Sequence, residues 1–296
     1  MKVLSLFDGI SCGMVALERA KIPVERYVAY EIDENAIKIS KKNYPQIEHC
    51  GDVTTADFTQ YQDFDLLIGG SPCTYWSIAK NHRKREITPN GIGGRLFMQF
   101  DRALRESKPK YFLYENNSSI NPTIKEFISE KLKVNPIKID SALLSAQHRE
   151  RVYWTNINFN IPCDKKIMLN DVVDFSDEAR FKPVSKWVYS YWGEKQKIDS
   201  IPRIIDKKAR TLTTSKTHSF QYYLHTDKKR YTNLTVGECE ALQTLPKGYV
   251  NNAEVKETAK YKAIGNGWTV DVIAHILKGV DQKCQKPKET SGAESF

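Results

Sequence analysis

The sequence predicts an α/β fold with a doubly wound sheet, followed by a second, smaller domain. Over residues 1–157, short apolar runs alternate with stretches of helical spacing, which is typical of strands joined by helices in an open sheet. A glycine-containing turn follows the first apolar run, at the place where sheets of this kind bind ligands. Over residues 158–256 the alternation gives way to aromatic and basic residues in mixed order, which favours a separate domain of short strands.

The first domain is predicted to begin with a strand and to alternate regularly from there. The strand candidates are residues 3–7, 27–31, 65–68, 111–114, 137–139 and 152–154, and a further strand, the third in chain order, is expected to end at Asp52. The helix candidates are residues 13–20, 35–43, 96–106 and 123–132. Asn121-Pro122 is a start signal for the last helix, because asparagine caps helix starts and proline suits the first helical position.

Three further segments complete the predicted organisation. Residues 74–94 are polar, basic and punctuated by glycine and proline, which predicts a long loop. Because this loop begins directly after Cys73, a candidate nucleophile, a binding role is favoured over a plain surface excursion. Residues 257–280 regain helical spacing and are predicted to form a C-terminal helix that returns to the first domain, and residues 281–296 are predicted to form a loose polar tail.

Composition restricts the class of function. The chain has 296 residues and a formal net charge of +9, an excess that favours a polyanion such as nucleic acid as partner. Its apolar runs fall short of the roughly 20 residues that span a bilayer, which argues against a membrane protein. The six cysteines show no paired C-x-x-C spacing, so neither a zinc site nor a disulfide framework is predicted. The amino terminus runs directly into a strand rather than a signal peptide, so an intracellular protein is expected.

Two reactive side chains follow neighbouring predicted strands. Cys73 comes shortly after the strand of residues 65–68, and Glu115 closes the strand of residues 111–114. Because the carboxyl ends of parallel strands meet at one edge of a sheet, the thiol and the carboxyl group are expected to face one substrate. A cysteine nucleophile beside an acid suits attack on an electron-poor ring. Either residue alone is more often a buried cysteine or a surface glutamate, but their shared placement favours chemistry.

A glycine turn and two acids predict an adenosine-type cofactor. The turn runs from Gly9 to Gly13 between the first strand and the first helix, although this spacing departs from the dinucleotide pattern G-x-G-x-x-G. Glu31 ends the second strand, from where a carboxylate can bind the two ribose hydroxyls. Asp52 is positioned to accept from an adenine amino group. Each acid can instead cap a helix, and Asp52 precedes Thr54, which keeps that alternative open.

Eight segments resemble, in order, the motifs of DNA (cytosine-5) methyltransferases. They are Phe7-Asp8-Gly9 through Gly13, Glu31-Ile32-Asp33, Gly51-Asp52-Val53, Gly70-Ser71-Pro72-Cys73, Glu115-Asn116, Gln147-His148-Arg149-Glu150-Arg151, Arg210-Thr211-Leu212-Thr213-Thr214 and Gly265-Asn266-Gly267. These segments are colinear over nearly the whole chain, and the Pro-Cys, Glu-Asn and Gln-x-Arg-x-Arg elements are highly specific in combination. The resemblance implies a Rossmann-like, S-adenosylmethionine-dependent methyltransferase sheet, a target-recognition domain at residues 158–256 and double-stranded DNA as the substrate.

The resemblance also implies a covalent mechanism. Carbon 5 of cytosine is a poor nucleophile, and the family adds a cysteine thiolate, here Cys73, to carbon 6 so that carbon 5 can attack the methyl group of the cofactor. Glu115 is then expected to hydrogen-bond or protonate ring nitrogen 3, which requires it to hold a proton. Arg149 and Arg151 are expected to organise the site, with Arg151 on the carbonyl oxygen of the base. The alternative for either arginine is a surface ion pair.

Cofactor and DNA contacts follow from the same resemblance. The implied cofactor contacts are Phe7, Gly9, Gly13, Glu31, Asp52, Val53, Pro72 and Asn266. Core packing of Phe7 and helix capping by Asn266 are the alternatives. The target base must leave the stacked duplex, and the loop of residues 74–94 is expected to insert into the gap or to contact phosphates. The residues expected to do so are Ser77, Arg83, Lys84 and Arg85. No metal is implied.

Two positions depart from the family pattern. Thr74 follows the candidate nucleophile where glutamine is frequent, and Asn117 follows Glu-Asn where valine is frequent. Neither change removes a reactive group.

The same residues help to decide between this function and other classes of function. An RNA methyltransferase that modifies tRNA would use the same catalytic pairs, but the Cys-Phe-Thr element typical of that group is missing. A catalytically silent DNA-binding relative would not need to retain Cys73 and Glu115, and a nicotinamide-dependent dehydrogenase does not fit the glycine spacing. We expect a cytoplasmic protein of a bacterial or phage-infected cell with no obligate protein partner. A companion restriction endonuclease is compatible with this expectation.

Overall fold

A seven-stranded sheet forms the centre of the protein in the computed structural model, which describes residues 1–76, 85–183, 203–204, 207–214, 222–224 and 229–280. Its strands are β1 (Lys2–Leu6), β2 (Arg26–Tyr30), β3 (Glu48–His49), β4 (Leu66–Gly69), β5 (Tyr111–Asn117), β6 (Ile137–Asp140) and β7 (Glu150–Thr155). Their order across the sheet is β3-β2-β1-β4-β5-β7-β6. The pairs formed among β1 to β5 are parallel, whereas β7 is antiparallel to both of its neighbours. Strand order reverses between β1 and β4, which is where such sheets bind ligands.

Helices cover both faces of this sheet. They are α1 (Cys12–Arg19), α2 (Glu34–Asn43), α3 (Ile92–Ser107), α4 (Pro122–Leu132), α5 (Val236–Leu242), α6 (Glu257–Asn266) and α7 (Val270–Leu277). Buried side chains of α1, α2 and α7 belong to one apolar cluster, and those of α3 and α4 belong to another. Successive side chains of β1 alternate between the faces, because Val3 joins the first cluster and Leu4 the second. The predicted doubly wound α/β class is confirmed.

The six strands for which residue ranges were predicted are all present. The prediction that the third strand in chain order ends at Asp52 is wrong. This strand, β3, ends at His49. Gly51 has a φ of 75°, a left-handed conformation that an extended strand does not contain. The chain therefore turns before it reaches Asp52.

Helix α3 begins earlier than predicted, so the end of the predicted loop of residues 74–94 is wrong. The first turn of α3 is capped by Glu86, whose carboxylate accepts from the backbone N–H groups of Ile92 (2.9 Å) and Gly93 (3.0 Å). A carboxylate at this position satisfies free N–H groups and is favoured by the helix dipole. The cap allows a glycine-rich segment to start a helix, which glycine alone disfavours.

The predicted single helix over residues 257–280 is two helices, α6 and α7. Gly267 caps α6 in an extended conformation with φ −68° and ψ 166°. Its carbonyl oxygen accepts hydrogen bonds from the side chains of Arg149 and Gln243, and these bonds fix the main chain between the two helices. Helix α7 then packs against α1. The domain boundaries after residues 157 and 256 stay predictions.

A second sheet lies within the segment predicted to form the smaller domain. Its strands are β8 (Lys182–Pro183), β9 (Arg203–Ile204), β10 (Tyr222–Leu224) and β11 (Arg230–Asn233), in the order β8-β11-β10-β9. Strand β10 is antiparallel to β11 and parallel to β9. Among the described residues, no helix combines the length and apolar character needed to cross a membrane.

Candidate active site

The four predicted catalytic residues converge at one edge of the central sheet. Cys73 opens a short 3-10 helix, Cys73–Tyr75, soon after the end of β4, and Glu115 lies in the adjacent strand β5. Because β7 is antiparallel, its amino end, with Arg149 just before it and Arg151 within it, reaches the edge where β4 and β5 have their carboxyl ends. All four residues line one cavity of about 540 Å³, which we call the edge cavity.

Glu115 is held between two donors from distant parts of the chain. Its Oε1 lies 2.9 Å from Nε of Arg151, and its Oε2 accepts a hydrogen bond of 3.0 Å from Nε1 of Trp268. Glu115 is only 9% exposed. Gly70 leaves room for this arrangement, because a Cβ at that position would lie 2.9 Å from Oε2 of Glu115. The orientation of the carboxyl group is therefore set by the surrounding protein.

The two arginines of the Gln-x-Arg-x-Arg element have different environments. Arg149 is 4% exposed and donates to the carbonyl oxygens of Leu212 (3.3 Å), Gly265 (3.1 Å) and Gly267 (2.9 Å). Burial, followed by the nearby charge of Arg151, lowers the pKa of Arg149 to about 9, so the guanidinium remains charged at neutral pH. Arg149 thus organises the main chain around the site, whereas Arg151 also lines the open groove described below.

A pair of fully buried glutamines extends this framework. Gln147 donates to Oε1 of Gln243 (2.9 Å) and accepts from the backbone N–H of Leu212 (3.2 Å). Gln243 donates in turn to the carbonyl oxygens of Ile264 (2.9 Å) and Gly267 (3.0 Å). Sequence reasoning missed Gln243, since nothing in the pattern around the end of α5 distinguishes it from a surface residue.

Five of the predicted cofactor contacts also line the edge cavity: Phe7, Gly9, Glu31, Pro72 and Asn266. The carboxylate of Glu31 accepts from the backbone N–H groups of Gly9, Ile32 and Asp33, each at 2.8 Å. Phe7 and Gly9 have φ values of 56° and 61°, and the first of these is a conformation that phenylalanine rarely adopts. The chain therefore turns sharply at the end of β1, beside the cavity.

Three predicted cofactor contacts do not line the edge cavity. Gly13 packs α1 on the sheet, because a Cβ there would lie 2.4 Å from Cδ1 of Ile68 and 2.7 Å from the hydroxyl of Tyr27. Asp52 accepts from the backbone N–H of Thr54 at 2.8 Å and so takes the alternative role of a cap. Val53 is buried in an apolar cluster.

Trp268, which lines the edge cavity, was missed from the sequence, and Ile32, which also lines it, was quoted within the segment Glu31-Ile32-Asp33 but was given no role. Ile32 is 71% exposed and directly follows Glu31, the predicted ribose acid. Trp268 directly follows the Gly265-Asn266-Gly267 turn. For Trp268, this adjacency to a motif was the available sequence signal.

Of the four predicted DNA contacts, Ser77, Arg83 and Lys84 lie outside the described residues. Arg85 is described, and its guanidinium donates to the carbonyl oxygens of Trp76 (2.9 Å) and Ser119. The backbone N–H of Glu86 donates to the carbonyl oxygen of Tyr75 at 2.9 Å. Arg85 therefore connects the turn after Cys73 to the turn after β5, and these contacts favour an anchoring role over a phosphate contact.

A wide groove of about 1170 Å³ adjoins the edge cavity. The two spaces share the lining residues Cys73, Thr74, Arg151, Lys262, Gly265 and Asn266. The groove also presents Lys38 and Lys256, whose exposed ammonium groups suit a polyanion. Lys262 forms an ion pair of 2.7 Å with Asp33 at the boundary. Among the described residues, no group of histidine, cysteine and carboxylate side chains is arranged to hold a metal ion.

Comparison with known families identifies one that covers most of the chain. The model for the family described as C-5 cytosine-specific DNA methylase matches residues 1–158 and 117–282. The chain is 28% identical over 294 residues to the orphan methyltransferase M.SPRI of Bacillus phage SPR, covering 92% of this chain and 61% of that protein. It is 26% identical over 330 residues to the type II methyltransferase M1.ScrFI of Lactococcus lactis subsp. cremoris, covering 97% of this chain and 80% of that protein.

The chain thus spans less than two thirds of the length of the phage protein. Among solved structures, the Dnmt2 methyltransferase of S. pombe superposes with a TM-score of 0.73 at 18% identity, covering 97% of this chain and all of that one (100%). At this identity the likeness concerns the fold.

Proposed function

Because the chain belongs to the C-5 cytosine-specific DNA methylase family, whose cofactor is S-adenosylmethionine, we propose that it methylates carbon 5 of cytosine in double-stranded DNA. The observation that carries the proposal is the position of Cys73. It is partly exposed and, like Arg151, lines both the edge cavity and the groove. A nucleophile at this junction can reach a base delivered from the groove while the cofactor occupies the cavity.

The edge cavity has residues that fit the proposed cofactor. Glu31 is the acid for the ribose hydroxyls, and Ile32 offers an exposed apolar surface to the adenine ring. Phe7, Pro72 and Asn266 complete the set. When bound, S-adenosylmethionine supplies an electrophilic methyl group on a sulfonium centre.

The reaction that these residues support begins at sulfur. Sγ of Cys73 forms a bond to carbon 6 of the cytosine, while Glu115 hydrogen-bonds or protonates nitrogen 3 and so draws electron density from carbon 6. Arg151 holds the carbonyl oxygen of the base. After methyl transfer, the proton on carbon 5 passes to water, the electron pair of the bond between sulfur and carbon 6 returns to Cys73, and nitrogen 3 releases its proton.

In this proposal, DNA binds in the groove. The target carbon is inaccessible in a stacked duplex, so the base must be extruded at a cost of a few kcal/mol. Lys38, Lys256 and the threonines of residues 211–214 line the groove, where they are placed for phosphate contact. The predicted insertion of residues 74–94 into the duplex, and target recognition by residues 158–256, belong to the same proposal.

The test combines substrate choice with covalent trapping. Purified protein is incubated with methyl-labelled S-adenosylmethionine and either duplex DNA or tRNA, and we expect label in DNA. Duplexes carrying 5-fluorocytosine are then expected to leave a stable adduct, because fluorine at carbon 5 cannot leave as the proton does, and peptide mass spectrometry should locate it at Cys73. Label confined to tRNA would support the RNA alternative and overturn the choice of substrate, and an adduct at any other residue would overturn the mechanism.

Bisulfite sequencing of DNA from cells that express the protein gives a second, independent readout. Methylated cytosines in one sequence context are expected, and their absence beside active protein in vitro would contradict duplex DNA as the cellular substrate.

A further inference from the structure

We propose that Trp268 is a positioning residue for Glu115: its indole keeps Oε2 of the carboxyl group as a permanent acceptor, so that Oε1 is the oxygen that serves nitrogen 3 of the base. This inference rests on the proposed function. It assigns a role to a residue outside the motif elements that the sequence resembles, in the turn between α6 and α7.

The main chain around Trp268 is held on several sides. Gln243 and Arg149 both donate to the carbonyl oxygen of Gly267, at 3.0 Å and 2.9 Å. The next residue, Thr269, donates to Oε1 of Gln243 at 2.8 Å, and a Cβ on Gly267 would lie 3.2 Å from Sγ of the buried Cys12. The indole is therefore presented from a rigid turn rather than from a loop that can adjust.

The side chains of Trp268 and Glu115 are packed together against Gly70. A Cβ on Gly70 would lie 2.9 Å from Oε2 of Glu115 and 3.4 Å from Nε1 of Trp268. The hydrogen bond of 3.0 Å between the two side chains thus lies in a space that a larger residue at position 70 would close. Rotation of the carboxyl group away from the indole would break this hydrogen bond.

The two donors on Glu115 differ in what they can do when a base arrives. An indole N–H only donates, and it has no second function in the reaction. Arg151 has a long side chain that lines the groove as well as the cavity, and it has several N–H groups. When Arg151 moves to the carbonyl oxygen of the base, Oε1 of Glu115 becomes available to nitrogen 3, while Trp268 retains Oε2. The proton for nitrogen 3 is therefore carried on one defined oxygen.

The test begins with Trp268→Phe, which removes the donor and keeps an aromatic ring. We expect kcat for methylation to fall by about 10-fold or more, the scale of a buried acceptor left without its donor, while KM for cofactor and for DNA each change by less than about 3-fold. Trp154→Phe is the matched control. It removes an indole N–H that bonds to Oγ of Ser129 in the core, at 2.9 Å, and it should leave kcat unchanged.

A double-mutant cycle separates positioning from a general structural role. The rate of adduct formation with a 5-azacytosine duplex is measured for wild type, Trp268→Phe, Glu115→Ala and the double variant. This more electron-poor ring keeps slow variants measurable. We expect Trp268→Phe to cost less than about 3-fold in the Glu115→Ala background, because its effect passes through the carboxyl group.

Three results would overturn the inference. They are an unchanged kcat in Trp268→Phe, a loss confined to the KM for cofactor, and an equal loss in the two backgrounds of the cycle. A wild-type protein that neither methylates DNA nor forms an adduct would instead overturn the proposed function, and this inference with it. The wild-type reaction therefore distinguishes the two failures.

Discussion

The edge cavity and the groove beside it are built in different ways. In the cavity, the polar side chains are held by the main chain: Glu31 accepts three backbone N–H groups, and Arg149 donates to three carbonyl oxygens. In the groove, Lys38 and Lys256 are exposed. Bond-making chemistry requires groups fixed in advance, whereas attraction of a polyanion requires only charge near its path. A substitution in the cavity should therefore reduce activity or stability more than one in the groove.

The largest effect is expected at the junction of the two regions, from Cys73→Ala. Loss of the nucleophile should reduce methyl transfer by roughly 10⁴-fold or more, the scale seen when a catalytic nucleophile is removed. Cofactor affinity, measured by calorimetry, should be unchanged because the cavity wall remains intact. Cys163→Ala is the control, since Cys163 is an exposed free thiol that lines neither space. Methyl transfer within 10-fold of wild type would contradict the assignment.

The next effect is on folding stability and concerns the two arginines. Arg149→Met should lower the free energy of unfolding by about 2–4 kcal/mol, because three carbonyl oxygens lose a charged donor in a buried site. Arg151→Met should cost less stability and yet remove most of the activity. Urea unfolding followed by circular dichroism gives the first quantity, and initial rates give the second. Equal losses of stability in the two variants would contradict the assignment of Arg149 to the structural framework and of Arg151 to substrate contact.

A smaller effect, on cofactor affinity, is expected from a change at Glu31, one of the predicted cofactor contacts in the edge cavity. Glu31→Gln should weaken cofactor binding by roughly 10-fold, because a charged acceptor for two hydroxyl groups is replaced by an amide. Calorimetry with S-adenosylhomocysteine measures this. Glu34→Gln serves as control, since Glu34 is exposed in the first turn of α2 and does not line the cavity. An equal affinity for wild type and Glu31→Gln would exclude Glu31 from the ribose site.

The smallest effect is expected in the groove. Lys256→Met should weaken DNA binding by only a few-fold at moderate salt and reduce the slope of log affinity against log salt by about 0.9, the contribution of one phosphate contact. Fluorescence anisotropy at four salt concentrations gives the slope. Lys131→Met is the control, because Lys131 lies on α4 and outside the groove. A tenfold loss of DNA affinity without a change in slope would mean that Lys256 contributes to binding through more than its charge.

The placement of Cys73, Glu115 and Glu31 could be predicted because each follows or ends a strand in a clear alternating pattern. Parallel strands end at a common edge, so proximity in space follows from position along each strand. The prediction that Asp52 ends the third strand was wrong, because Gly51 turns the chain before it and the carboxylate caps the following turn of helix. The start of α3 was also predicted wrongly, because a cap from Glu86 compensates for the low helix propensity of glycine.

The amino-acid sequence alone determined the α/β class, the order of the main strands and helices along the chain, and the choice of Cys73 and Glu115 as the candidate catalytic pair, since these depend on local periodicity and on residue type. Only the tertiary structure decided which groups contact that pair. The antiparallel direction of β7 brings Arg149 and Arg151 to the catalytic edge, and Trp268 reaches Glu115 across 153 positions of sequence. Contacts of this kind leave no local pattern, because they depend on how whole elements pack rather than on the spacing of neighbouring residues.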